Sequence, residues 1–323
     1  MLAVIGDIVQ DVVVWQLEEV RPATDTRSQI HIRRGGSAAN VAAFAGPRTP
    51  TRYIGCVGDD LAGLALTRDL EGRGVEVRNQ VRGTTGTIVL QIDQQGERTM
   101  FPSRGASGLL EPVDPALLDD VDLLHLTAYS LSTDSARRAV LDAAEQVHAR
   151  GGRVSLDVSS VGLIEELGAG AVATDLEAIA PEFISANRDE ALALGLADGE
   201  EPGPLLARLP GATLLARNGA RATRVFTGGR LVAAVPVEPV EVVVDLTGAG
   251  DAFNAGFLAS LQGGGHDGGG GDSGDQDPGG RDSGPPGPGR AGGHRARGLT
   301  AGRAAPVPQG PDTWRRARPP HCG

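Results

Sequence analysis

Short apolar runs alternate with helix-like patterns through the first 262 residues. Residues 2–5 read LAVI, the pattern of a buried strand. Residues 52–57 give a second apolar run, and 61–73 follow with a helical pattern. Residues 121–126 predict another strand. After it Ala136, Val140, Ala143 and Val147 recur at three- and four-residue steps, the mark of an amphipathic helix. Runs at 154–158, 183–186 and 213–216 continue the series. Strand–helix alternation of this kind predicts an α/β domain with a mostly parallel sheet covered by helices. Ligands of such sheets sit beyond the carboxyl ends of the strands.

Two regions break the alternation. Residues 12–15 and 28–32 are short and extended, and residues 86–93 and 97–101 flank Gln94-Gln95-Gly96, a hairpin signal. The segments at about 12–34 and 86–103 therefore predict a small separate sheet, which could act as a lid over a ligand.

Composition narrows the picture. The 323 residues are 40% hydrophobic but only 3% aromatic, so the core must come from Ala, Val, Leu and Ile. All 30 basic residues are Arg, since the chain has no Lys. That excludes a Walker-type phosphate loop, which needs its Lys, and Schiff-base chemistry. A net charge of −11 argues against nucleic acid as the main partner. No apolar run is long enough to span a bilayer. The N-terminal MLAVIGDIVQD reads as a first strand and not as a signal peptide. The two cysteines, Cys56 and Cys322, lie in unlike contexts, so a reducing, cytoplasmic setting is the default expectation.

The pattern stops near residue 262. Residues 263–323 hold 19 Gly, 9 Pro, six Asp and eight Arg, about +2, leaving about −13 on the body. Such a segment cannot bury enough apolar surface to offset its ordering entropy and is expected to be disordered. The Arg- and Ala-rich body suggests GC-rich coding DNA, which read out of frame yields Gly, Pro, Arg and Ala. The tail thus reads as a frameshift product, with a genuine disordered extension as the alternative.

Two glycine motifs carry candidate chemistry. Residues 245–261 read DLTGAGDAFNAGFLASL: a strand over 240–244, a turn of small residues at Thr247, Gly248, Ala249 and Gly250, then a helix with Phe253, Phe257, Leu258 and Leu261 on one face. The N–H groups at a helix start bind anions. Asp251 in the first turn could take a proton from a substrate hydroxyl, or simply cap the helix. Residues 35–46 read GGSAANVAAFAG. Gly35, Gly36 and Asn40 could contact substrate hydroxyls, or Asn40 could be one satisfied polar group in a close-packed helix. Upstream, Asp7 and Asp11 are either polyol-binding carboxylates or solvated turn acids.

These motifs, in this order, resemble the PfkB/ribokinase family of carbohydrate and nucleoside kinases. GGSAANVAAFAG resembles the family's N-terminal signature and DLTGAGDAFNAGF its C-terminal one, with VGDDLAG (57–63), GERT (96–99) and NRDE (187–190) between them. The resemblance covers residues 1–262. It implies a ribokinase-like fold with a small β lid, and transfer of the ATP γ-phosphoryl group to a primary hydroxyl. It implies Asp251 as base, Gly248, Ala249 and Gly250 as anion hole, and Asp11, Gly35, Gly36 and Asn40 as substrate contacts. Asn187 and Glu190 match the N-x-x-E element that acts on Mg²⁺ through water and on the phosphates. Arg217 and Gly219 fall near the nucleotide, although an ordinary surface role is the plainer reading of Arg217. Asp245 and Thr247 lie where some members hold a monovalent cation such as K⁺. A homodimer through the lid is a further implication.

Leu246 departs from the small hydroxyl residue usual in the family, and the tail offers none of the helical sequence that completes the family's adenine pocket. The expected function is therefore an ATP-dependent sugar kinase. The alternatives are a nucleoside kinase of the adenosine type and a catalytically impaired remnant. A nicotinamide dehydrogenase would need G-x-G-x-x-G after the first strand, and GDIVQD supplies none.

Overall fold

A computed structural model describes residues 1–240 and 246–263. The tail beyond Gly263, Asp245 and most of the strand expected over 240–244 lie outside the described residues.

Among the described residues a nine-stranded sheet forms the centre. Its first strand, Leu2–Ile5, runs parallel to Thr51–Ile54 on one side and to Leu123–Thr127 on the other. Beyond Thr51–Ile54 lies Val75–Val77. Beyond Leu123–Thr127 the parallel order continues through Arg153–Asp157, Phe183–Asn187 and Thr213–Asn218. The chain thus winds outward from Leu2–Ile5 in one direction and then in the other. The reversal point lies between Leu2–Ile5 and Leu123–Thr127, where open α/β sheets place their ligands.

Helices cover both faces, which is why the strands read as continuous apolar runs. Ala3 and Ile5 pack with Val140, Val147 and Leu176 of the helices Asp134–Ala149 and Ala169–Ile179. Leu2 and Val4 pack on the other face with Ala42, Leu66 and Leu258, from helices Ser37–Ala45, Leu61–Glu71 and Ala249–Gly263.

The structure alters the sequence expectations in three places. The run at 52–57 is two strands in different sheets, because the chain bends at Gly55. A Cβ there would lie 2.2 Å from the Tyr53 hydroxyl, so Gly55 lets that ring fold back. Two antiparallel strands, Arg221–Thr227 and Arg230–Val235, extend the sheet through a turn at Gly228 and Gly229, both with positive φ. Finally, the buried stripe of the last helix is Asp251, Asn254, Ala255 and Leu258, with Phe257 and Leu261 only half covered.

A separate four-stranded sheet is built from Ser28–Gly35, Val9–Gln16, Gly86–Ile92 and Arg98–Ser103, in that spatial order. Val13, Leu90 and Ile92 form a small core under it, with Trp15 packed alongside. Its strand Ser28–Gly35 runs directly into the helix Ser37–Ala45. The join is Gly36, with φ +93 and room for no Cβ: one would lie 2.5 Å from the Asp7 carbonyl oxygen. Gly36→Ala is therefore expected to cost about 2–4 kcal/mol in strain and displacement, lowering the melting temperature by roughly 5–15 °C. A thermal melt of the variant checks this.

Candidate active site

The residues singled out by sequence converge at the carboxyl ends of the parallel strands. Asp7 follows Leu2–Ile5, and Asn187 and Arg217 end or nearly end their own strands, beside Thr127 and Asp157, which the sequence did not single out.

Asp7 holds the N-terminus of the helix Ser37–Ala45. Its carboxylate accepts the N–H of Ser37 at 2.8 Å, the N–H of Ala38 at 3.2 Å and the Thr127 hydroxyl at 2.9 Å. It is neither a free polyol ligand nor a solvated turn acid. A carboxylate on helix N–H groups satisfies otherwise orphaned donors and suits the helix dipole.

Asp11 lies in a strand, Val9–Gln16, opposite Arg33. Its carboxylate occupies the space that a side chain on Gly35 would fill, 2.2 Å from an ideal Cβ. Gly35 is thus the cradle for Asp11. Burial pushes the Asp11 carboxyl above its ordinary range, while Arg33 and Arg34 pull it back and Asp7 adds to the rise.

Asp251 sits in the first turn of Ala249–Gly263 and is 9% exposed. Its Oδ1 accepts the Ser37 hydroxyl at 2.6 Å, and its Oδ2 accepts the Asn40 amide at 2.8 Å. The two helices meet closely because the first is almost all Ala on its buried side: Ala38, Ala39, Ala42, Ala43 and Ala45. Small side chains let Ser37 and Asn40 reach across. Burial raises the Asp251 carboxyl to about 6, with Ser37 and Asn40 opposing the rise and Asp157 and Asp7 adding to it. A general base works best with its pKa near the operating pH.

Before that helix, Gly248 makes the turn with φ +78 and Ala249 begins the helix. Gly250 lies against Arg217: an ideal Cβ on it would be 2.1 Å from Nη1 of that guanidinium. Arg217 is not an ordinary surface residue. It donates to Asp157 at 2.7 Å, lies 3.7 Å from Glu190, and is 16% exposed. Its guanidinium also stands over the Phe253 ring, 6.0 Å from the centroid. Gly219, φ +57, makes the adjoining hairpin turn.

Asn187 and Glu190 form a reciprocal cap on the helix Arg188–Ala193. The Asn187 side chain accepts both the Asp189 and the Glu190 N–H at 2.9 Å, and Glu190 accepts the Asn187 N–H at 2.7 Å. Burial raises the Glu190 carboxyl, and the Asn187 N–H opposes that. Thr247 is described and Asp245 is not, so the geometry of that pair is outside the described residues.

Among the described residues no cluster of three His, Cys, Asp or Glu could hold a metal directly. Glu190 and Asp157 are the two buried carboxylates beside Arg217. One or two carboxylates, with the rest of the shell from phosphates and water, is what Mg²⁺ ordinarily takes.

The pfkB family carbohydrate kinase model matches residues 1–267. The chain belongs to that family. It is a carbohydrate kinase, a phosphotransferase with an alcohol acceptor. A fructokinase of Klebsiella pneumoniae is 33% identical over 72% of this chain and 78% of its own length. An ATP-dependent ribose-1-phosphate kinase of Halopiger xanaduensis is 31% identical over 74% of this chain and 78% of its own. An Escherichia coli protein provisionally assigned as ribokinase II, solved with ATP and Mg²⁺, superposes with a TM-score of 0.69. It is 24% identical over 81% of this chain and 86% of that one, a likeness of fold. Among the described residues of this kinase no helix is long and apolar enough to cross a membrane.

Ser37, Arg34 and Asp157 are site residues that sequence reasoning did not single out. Ser37 stood inside a quoted motif, but only the helix–helix contact shows its hydroxyl on Asp251.

Proposed function

We propose that this kinase transfers the γ-phosphoryl group of ATP to a primary hydroxyl of a small sugar, with Asp251 as the general base. The observation that carries the reading is the Asp251 carboxylate. It is buried at an anion-binding helix start, held at both oxygens, and set beside the Asp7–Asp11–Gly35–Gly36 corner. Asp11, with Gly35, Gly36 and Asn40, orients the sugar by accepting and donating hydroxyl hydrogen bonds. The acceptor hydroxyl then gives its proton to Asp251 as its oxygen attacks the γ-phosphorus and the bond to the ADP oxygen breaks. The N–H groups of Gly248 and Gly250 receive the negative charge of the transferring group, and that of Ala249 joins them once it leaves the Leu246 carbonyl, to which it donates at 3.1 Å. Arg217, paired with Asp157, supplies a cation there, and the turn at Gly219 lies on the nucleotide side. Asn187 and Glu190, through water, would hold Mg²⁺, which supplies charge neutralisation on the phosphates. The named activities of the two relatives support a sugar as acceptor. Fructose, ribose and adenosine assayed side by side with ATP test the reading: phosphorylation of a sugar supports it, and phosphorylation of adenosine alone rejects it.

With Asp251 near 6, log kcat/KM is expected to fall with unit slope below about pH 6, because the proton occupies the base. A pH–rate profile that stays flat down to pH 5 would remove Asp251 from that role.

The proposal extends to a K⁺ site at Asp245 and Thr247, tested by turnover in K⁺ against tetramethylammonium salts, and to a cytoplasmic setting. It also extends to a homodimer through the small sheet. Val12 pairs with Ile32 and Val89, and Val89 with Phe101, so these four share one face. Ile32 is 66% exposed and Phe101 54%. A second copy would cover them, and sedimentation equilibrium tests it.

An impaired remnant is the second reading. One observation favours it: the family match ends at residue 267, inside the Gly- and Pro-rich stretch whose composition suggests a frameshift. Calorimetric titration with ATP and Mg²⁺ decides between them, since a remnant without an adenine pocket binds ATP weakly or not at all.

A further inference from the structure

We propose that Arg34, anchored by Asp69, is a positioning residue that fixes the Asn40 amide so that its NH₂ group faces Asp251. Arg34 is the penultimate residue of the strand Ser28–Gly35, just before Gly36, and its side chain is only 9% exposed. Its Nε donates to Asp69 Oδ2 at 2.8 Å, on the helix Leu61–Glu71, and its Nη1 donates to the Asn40 carbonyl oxygen. Asn40 in turn donates to Asp251 Oδ2 at 2.8 Å. Arg73 bonds the same Asp69 oxygen at 3.2 Å, so the far end of the relay is itself held.

An Asn amide presents a carbonyl at one corner and an NH₂ at the other, in nearly the same shape. A guanidinium has donors only. Placed on one side of Asn40, it can only donate to the carbonyl, and the NH₂ is left for the carboxylate. A protonated Asp251 could donate its own hydrogen to Asn40 only if the amide were turned over. Arg34 blocks that orientation, and so favours the ionised carboxylate, the form that takes the substrate proton. The other groups around Asp251 remain as they are in such a variant. They are Ser37 on the facing helix, Asp7 and Asp157 at the strand ends, and Arg217 against Gly250.

Without Arg34 the amide is free to turn and accept a hydrogen bond from the acid form. Hydrogen bonding to the neutral form raises a carboxyl pKa. The test is a ¹³C-carboxyl NMR titration of ligand-free protein, with the Asp251 signal assigned from its loss in Asp251→Asn. In Arg34→Met the Asp251 midpoint is expected to rise by about one unit. In Arg34→Lys, which keeps a donor-only cation, most of that rise should vanish. In an Asn40→Ala background, Arg34→Met should shift nothing further. An unchanged midpoint in Arg34→Met overturns the proposal. So does an equal shift in the Asn40→Ala background, which would mean that Arg34 acts by charge alone. Should Arg34→Met fail to fold, Asp69→Asn must show a smaller rise in the same direction, and no rise there overturns it. The inference rests on Asp251 as the base only for its kinetic consequence, a matching move of the acid limb of kcat/KM. The titration judges the relay without turnover, while the turnover of Asp251→Asn judges the base.

Discussion

Asp251→Asn is expected to lose about 10²–10⁴ in kcat while sugar affinity stays close to that of the parent. The substitution is nearly isosteric, so the contact between the two helices should survive. The amide can still receive the Ser37 hydroxyl on its carbonyl. Its NH₂ would face the Asn40 NH₂, a local mismatch that costs some stability and leaves the sugar corner at Asp11 and Gly35 untouched. What is lost is a group able to accept the hydroxyl proton. The loss should therefore fall on kcat and leave the KM for sugar nearly unchanged, the signature of an interaction made only in the transition state. Steady-state kinetics with isothermal titration of the sugar checks both halves. A variant with most of the parent's kcat would show that Asp251 only caps its helix.

Asp11→Ala is expected to act in the opposite way, weakening the sugar by on the order of 10²–10⁴ and ATP hardly at all. A carboxylate that accepts two sugar hydroxyls loses two charge-assisted hydrogen bonds, together about 3–6 kcal/mol. Asp11 is partly buried between Arg33 and Arg34, so its removal also leaves two guanidinium groups facing one fewer anion. That second effect would not discriminate between sugar and nucleotide, and so the ratio of the two affinities is the informative number. Calorimetry with each ligand separately gives it. Equal losses for sugar and ATP would mean that Asp11 holds the local fold and not the sugar.

Much of the architecture was legible in the chain. A strand buried on both faces must read as an unbroken apolar run, and LAVI at 2–5 does. The Ala136–Val140–Ala143–Val147 spacing likewise marks a helix with one buried face. Sequence periodicity failed where backbone geometry or tertiary contact decides. The bend at Gly55 depends on where the Tyr53 ring lies. The hairpin after Asn218 was masked by the short alternation of its strands, although Gly228-Gly229 was a usable signal. In the last helix the apolar residues suggested a stripe through Phe253. The buried stripe instead carries Asp251 and Asn254. A helix that buries polar side chains departs from the amphipathic rule, and Asp251 does so here by bonding Ser37 and Asn40 of the facing helix.

The site divides in the same way. Gly35 and Asp11 were both named from their motifs, but nothing local shows that the carboxylate of one fills the space above the other. Asp7 was weighed as a sugar ligand, yet its oxygens are taken by two helix N–H groups and Thr127. The sequence leaves Arg217 between a place near the nucleotide and the surface role usual for an isolated Arg in a strand–turn pattern. Its partner Asp157 ends another strand, and Glu190 lies in the first turn of the helix Arg188–Ala193, 60 and 27 residues away in the chain. Pairings of that kind exist only once the parallel sheet has brought the ends together.

The central claim is tested most directly by following the γ-phosphoryl group itself. Parent chain and Asp251→Asn would be incubated with Mg²⁺, ATP and a panel of hexoses, pentoses and nucleosides, and the products read by ³¹P NMR. The account predicts a phosphomonoester on the primary hydroxyl of a sugar with the parent, and only unreacted ATP with the variant. A phosphomonoester formed equally by both chains, or on a nucleoside alone, or no transfer by a parent that binds ATP, would contradict it.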